Sequence, residues 1–124
     1  MKTKESIQKF LSLLGKEAQL QNQCWYWLEY NRKDLFFHTV PNEGKRQSAE
    51  TWRLKLLGMK KGVFDSIIFS CETGKLAYFE FKAPKKKLST DQITFSEKLE
   101  KAKIDFFVIE YFEQFQKTVS NFFG

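Results

Sequence analysis

The sequence predicts an α/β fold, and three observations carry that prediction. Residues 62–82, read GVFDSIIFSCETGKLAYFEFK, hold two apolar, β-favouring runs joined by a turn-like segment, which is the pattern of an antiparallel hairpin. A helical stretch separates that hairpin from a further apolar β-run, and a connection of that length returns a strand parallel to the one it left. Helical periodicity both precedes and follows the strands.

In chain order, residues 6–14 set Ile7, Phe10, Leu11 and Leu14 at helical spacing. Gly15 permits a break before a second helical stretch, 16–30, in which Leu20, Cys24, Trp27 and Leu28 make an inward stripe and Trp25 and Tyr26 widen the aromatic surface. Glu17 and Gln21, four positions apart, share a face bordering that stripe. A polar connection, 31–34, leads into a first strand, 35–40, stopped by Pro41, Asn42, Glu43 and Gly44. Residues 45–57 read as a helix packing through Ala49, Trp52, Leu56 and Leu57, with Gly58 as its break. Lys60, Lys61 and Gly62 bridge into the hairpin, whose runs are 64–69 and 76–81 around a turn at 71–74. Ala83 and Pro84 end the second strand. Ser89 or Thr90 then caps a helix over 91–102 that packs through Ile93, Phe95, Leu99 and Ala102, and Ser89 with Gln92 has capping-box spacing. A last strand, 104–111, precedes an amphipathic helix, 112–123, whose Phe112, Phe115, Val119, Phe122 and Phe123 make a sticky face suited to a dimer contact.

At 124 residues the chain fits one domain, 1–124, with residues 1–16 a helical N-terminal extension and 112–124 a C-terminal helix. A hydrophobic content of 42% fills such a core without disulfides or a structural metal, and fourteen phenylalanines exceed what a small interior holds with ease, so some point to an oligomer surface. No run of about 18 apolar residues occurs, which excludes a spanning helix and a membrane partner. Charges and glutamine interrupt the first apolar run too soon for a signal peptide. Cys24 and Cys71 belong to no motif, in keeping with a reducing, cytoplasmic setting. Neither a Walker pattern nor a dinucleotide fingerprint is present, so no nucleotide cofactor is expected.

A net charge of +6 favours a polyanionic partner. Lys45, Arg46, Arg53, Lys55, Lys60 and Lys61 face only Glu43 and Glu50 over residues 41–61, and Lys82, Lys85, Lys86 and Lys87 follow the hairpin directly. With the hairpin turn centred near Thr73, Asp65 falls opposite Phe81, beside Glu80 and Lys82. Two bare carboxylates about 4 Å apart repel by roughly 4 kcal/mol at an effective dielectric of about 20. A divalent cation removes that repulsion, and hard oxygen ligands select Mg²⁺ or Mn²⁺ over zinc, for which one histidine and two scattered cysteines are a poor supply. The same charges also suit a solvent-facing hairpin edge with one local ion pair. Glu17 likewise reads as an ordinary helix glutamate, His38 as a structural residue or a DNA contact, and the Gln92 amide as a reciprocal cap or a group reaching phosphate or metal-site water.

The ordered set of Glu17 and Gln21 on a helix, Pro41-Asn42-Glu43-Gly44 then Arg46, Gly62 before Phe64-Asp65, Glu80-Phe81-Lys82, and Leu88-Ser89 followed by Gln92 resembles the virus-type replication-repair nuclease (VRR-NUC) family of the PD-(D/E)xK superfamily, over roughly residues 17–111. The resemblance implies a restriction-endonuclease-like core with a mixed β-sheet flanked by α-helices. It implies Mg²⁺- or Mn²⁺-dependent hydrolysis of DNA phosphodiesters, selective for junction, flap or nicked structure rather than sequence, by small phage-encoded proteins that often form homodimers. Carried over by position, Asp65 and Glu80 become metal-binding carboxylates, with the main-chain carbonyl of Phe81 and with Glu17 directly or through water. Lys82 becomes the catalytic lysine and Gln92 the family's site glutamine. Gln21, His38, Asn42, Lys45, Arg46, Lys60, Lys61, Lys85, Lys86 and Lys87 then make up the DNA-binding set. Phe64 stands where the name-giving proline usually stands, which removes a fixed φ but no metal ligand. The alternatives are a catalytically inactive DNA-binding homologue and an RNA-binding protein.

Overall fold

The computed structural model describes residues 3–41 and 49–124. Along the chain run α1 (Lys4–Ser12), α2 (Lys16–Asn31), β1 (Leu35–Thr39), α3 (Ala49–Leu56), β2 (Ser66–Ser70), β3 (Leu76–Phe81), α4 (Thr90–Lys101), β4 (Asp105–Ile109) and α5 (Phe112–Phe123). The four strands form one sheet in the order β1-β2-β3-β4, with β1/β2 and β2/β3 antiparallel and β3/β4 parallel. This is the mixed sheet flanked by helices that the sequence predicts, with α4 as the crossover. The expected motif residues Asn42, Glu43, Gly44, Lys45 and Arg46 lie outside the described residues.

Strand alternation divides the sheet into two unlike faces. Phe37, Ile68, Ala77, Phe79, Phe81 and Ile109 point to one side, where Cys24 and Leu28 of α2 and Phe115 and Val119 of α5 complete a fully buried core. On the other side Tyr78 and Phe106 meet α4, with Phe95 edge-on to Tyr78 at 5.3 Å and Phe64 edge-on to both Phe95 and Phe106. Asp65 and Glu80 belong to this second side and lie where the α4 layer ends.

Three expectations are corrected. Ser66 pairs with Phe79 and Ile67 with Tyr78, a register that, continued by one residue, sets Asp65 across from Glu80 rather than Phe81. The turn accounts for the shift. Ser70 N–H donates to the Lys75 carbonyl and Gly74 N–H to the Ser70 carbonyl, so the loop holds an even number of residues and its midpoint falls between Glu72 and Thr73. Next, the apolar residues of α5 do not form an outer sticky face. Phe115 and Val119 are fully buried, and Phe112, Phe122 and Phe123 pack against the same core, because the sheet face beside α2 would otherwise stand open. Finally, Thr51 of α3 turns inward while Ala49, Trp52, Leu56 and Leu57, all expected to pack, are exposed.

Candidate active site

Strand pairing assembles the acidic pair. Asp65 directly precedes β2 and Glu80 lies one residue before the end of β3, so the antiparallel register brings them side by side. Each carboxylate then accepts from a main-chain N–H of the neighbouring strand segment. The Asp65 N–H donates to Glu80 Oε1 at 3.1 Å, and the Phe81 N–H donates to Asp65 Oδ2 at 3.0 Å. Glu80 is only 2% exposed and Lys82 only 8%. The Lys82 Nζ stands 3.7 Å from Glu80 Oε2, an ion-pair separation rather than a hydrogen bond.

Gln92 resolves the competition for its amide by using both ends. Its Oε1 accepts from the Ser89 N–H at 3.0 Å, closing the capping box with Ser89 Oγ, while its Nε2 donates to Glu80 Oε2 at 2.8 Å. Helix start and acidic site are therefore joined through one side chain. Gly62 makes that junction close enough. At φ +75° it lies so near α4 that a Cβ there would stand 2.4 Å from the Asp91 carbonyl carbon, a contact only glycine permits.

Glu17, in the first turn of α2, approaches from the opposite side of the sheet. Its Oε2 accepts from the Ala83 N–H at 3.1 Å and lies 3.3 Å from Lys86 Nζ. The N-terminal turns of α2 and α4 thus flank the end of β3, and their positive dipole ends favour anions there.

Burial is the first cause of the shifted acidities. It pushes the Glu80 carboxyl up to about 8, with the charge of Asp65 adding to the rise and Lys82, the Asp65 N–H and Gln92 opposing it. Asp65 is also raised by burial, against the hydrogen bond from Phe81 N–H. Two neighbouring acids that resist joint ionisation are a donor set that a cation would neutralise. Among the described residues no three or more His, Cys, Asp or Glu side chains gather closely enough to hold a metal. Asp65 and Glu80 supply two carboxylates, a number that a magnesium-type ion can take when water or phosphate oxygens fill its other positions.

The remaining expected residues divide. Gln21 spends its Nε2 on Thr39 Oγ1 at 2.8 Å and Ser66 Oγ at 3.2 Å, pinning α2 to β1 and β2. His38 is exposed on β1, its Nδ1 3.1 Å from the Thr39 carbonyl oxygen. Lys85, Lys86 and Lys87 are exposed beside the site, and the Lys85 backbone, at φ +68°, donates to Glu110 Oε2 at 3.2 Å. Lys60 and Lys61 are exposed in the connection between α3 and β2. Sequence reasoning missed Ser66, fully buried next to Asp65. Its signal was a small polar residue at the start of an apolar strand, where only a satisfied hydroxyl is tolerated.

A solved structure described as a VRR_NUC domain superposes with a TM-score of 0.64 at 18% sequence identity, covering 88% of this chain and 99% of that one. No match is found among curated proteins. The VRR-NUC domain profile matches residues 3–111, a span that contains the paired acids, the lysine beside them and both flanking helix starts, and on that match the chain belongs to the VRR-NUC domain family.

Proposed function

We propose that the protein is a Mg²⁺- or Mn²⁺-dependent endonuclease that hydrolyses DNA phosphodiester bonds, selecting branched, flapped or nicked structure rather than sequence. The observation that carries this reading is the half-buried Asp65 beside the buried Glu80, with Lys82 Nζ 3.7 Å from Glu80 Oε2. Asp65, Glu80 and the main-chain carbonyl of Phe81 would hold the ion, with Glu17 joining directly or through water. Once bound, it supplies Lewis-acid polarisation of the scissile phosphate and a lowered pKa for the attacking water. Lys82 then stabilises charge developing on the phosphoryl oxygens or positions the water. Gln92 fixes the orientation of Glu80. Lys85, Lys86 and Lys87 hold the sugar–phosphate backbone, contacts that give register and affinity but no base reading, which supports a preference for shape. In-line attack would leave a 5′-phosphate and a 3′-hydroxyl.

A DNA-binding homologue without activity is favoured by one observation. Glu17 is engaged with Ala83 and Lys86 instead of completing a third acidic position. That reading predicts binding without cutting. Incubation of labelled junctions, flaps, nicked duplexes, single strands and structured RNA with Mg²⁺, Mn²⁺ or EDTA separates the two. Metal-dependent DNA cleavage is expected, reduced by about 10²-fold or more in Asp65→Ala and Lys82→Ala. Cleavage persisting in either folded variant removes that residue's assigned role.

A further inference from the structure

Directly after Lys82 the chain makes a turn that is fastened at three points. The Lys86 N–H donates to the Ala83 carbonyl at 3.0 Å, closing the turn over Pro84 and Lys85. Lys85 takes φ +68°, a left-handed conformation that glycine favours, and its N–H is taken by Glu110 Oε2 at 3.2 Å. The third point is Glu17, whose Oε2 accepts from the Ala83 N–H at 3.1 Å and lies 3.3 Å from Lys86 Nζ. The backbone of the turn thus sets the Lys86 ammonium against Glu17.

The end of β3 gives the separation of Glu17 from the acidic pair. The Phe81 N–H goes to Asp65 Oδ2, the Lys82 N–H to the Ile109 carbonyl of β4, and the Ala83 N–H to Glu17. Peptides of an extended chain point alternately to its two sides, so Asp65 and Glu17 occupy consecutive amides on the same side, roughly 6–7 Å apart. The Asp65 carboxyl, raised first by burial, is raised further by the charge of Glu17. Oxygens bound to one magnesium-type ion lie within about 4 Å of each other. Glu17 as placed is therefore too distant to share an ion with Asp65 and Glu80, in line with the lack of a closer acidic trio among the described residues. A shift of about 3 Å, within the reach of a glutamate side chain, would bring it in.

The two lysine–glutamate pairs at the site differ in access. In Lys82–Glu80 the side chains are 9% and 3% exposed, and in Lys86–Glu17 they are 62% and 31% exposed. The first is closed to an incoming anion. The second is held weakly against water and salt, and its ammonium stands among the lysines that meet the DNA backbone. We propose that Lys86 is a positioning residue which, in the DNA-free protein, keeps Glu17 on the Ala83 amide, and that a backbone phosphate, by taking Lys86, frees Glu17 for the cation site. It rests on the nuclease reading and names what links DNA to metal there: the third carboxylate is released by the substrate.

Two double-variant cycles on the full chain test this without turnover. In EDTA, binding of a flapped DNA reads the competition for Lys86. Glu17→Gln should bind that DNA about threefold or more tighter than wild type, and the gain should vanish in a Lys86→Met background. Without DNA, calorimetric titration with Mn²⁺ reads the release of Glu17. Lys86→Met should bind Mn²⁺ about threefold or more tighter than Lys87→Met, which removes the same charge from a neighbouring position, and adding Glu17→Gln should abolish that difference. A fixed anchor predicts the opposite sign, because Glu17→Gln would then loosen the lysine turn and weaken DNA binding in EDTA. That result in folded protein overturns the proposal, as does Mn²⁺ affinity equal in Lys86→Met and Lys87→Met. Should Glu17→Gln fail to fold, the comparison of the two lysine variants decides alone. Loss of Mn²⁺ binding in Glu80→Gln keeps the nuclease reading standing through either failure, whereas wild type that neither binds Mn²⁺ nor cuts DNA removes both readings together.

Discussion

At the scale of single residues, Glu80 sets the pH behaviour. Its carboxyl is pushed up to about 8 by burial and by Asp65, so the fold binds its proton more tightly than the unfolded chain does. The stability this contributes is complete below the ordinary carboxylate pKa and is lost as pH rises through about 8. Asp65, shifted the same way, adds the same sign. In the metal-free protein, Glu80→Gln should therefore melt a few degrees above wild type at about pH 9, with the gap closing toward about pH 4. Mg²⁺ at the higher pH should raise the wild-type midpoint and leave the Gln variant where it was. Scanning calorimetry at both pH values checks this, and a Gln variant less stable at the higher pH would refute it. The acids themselves were legible in the sequence because strand, turn and strand around them have distinct compositions. Their direct opposition was not, since the parity of a turn depends on which of its peptides bond and not on residue type.

Elements meet at Gly62. Helix α4 reaches the acidic pair only because the chain before β2 passes within a Cβ's breadth of Asp91. Gly62→Ala adds an atom where backbone already stands and strains a residue at φ +75°, costing roughly 1–3 kcal/mol. The first turn of α4 would back away, taking Gln92 off Glu80. Urea unfolding should show that loss, and single-turnover cleavage should fall by more than the unfolded fraction explains, since sites of this kind respond to displacements of about 1 Å. A variant destabilised but fully active would show that α4 is seated by other contacts. The capping residues could be read from Ser89 and Gln92 by spacing. That one amide would serve cap and carboxylate together could not, because this needs the angle at which α4 meets β3.

For the molecule as a whole, α5 lies beyond the residues matched by the family profile, yet it closes the core. Phe115 and Val119 are fully buried against Phe79, Phe81 and Trp27. Their burial is worth roughly 3–6 kcal/mol, comparable with the entire stability of a small domain. A chain ending at Tyr111 should thus lose cooperative unfolding by circular dichroism, although it retains every proposed catalytic residue. Cooperative melting of that fragment would show the sheet to be self-sufficient. Phe64, which stands fully buried immediately before Asp65, has a comparable reach. Its ring is wedged between Phe95 of α4 and Phe106 of β4, so the aspartate's aim is borrowed from a neighbour across a layer boundary and not from a stiff ring in its own backbone. Mild warming that loosens only this one layer would then blunt the chemistry while hydrogen exchange still reports intact strands, making α4 the component whose seating governs the working temperature of the whole.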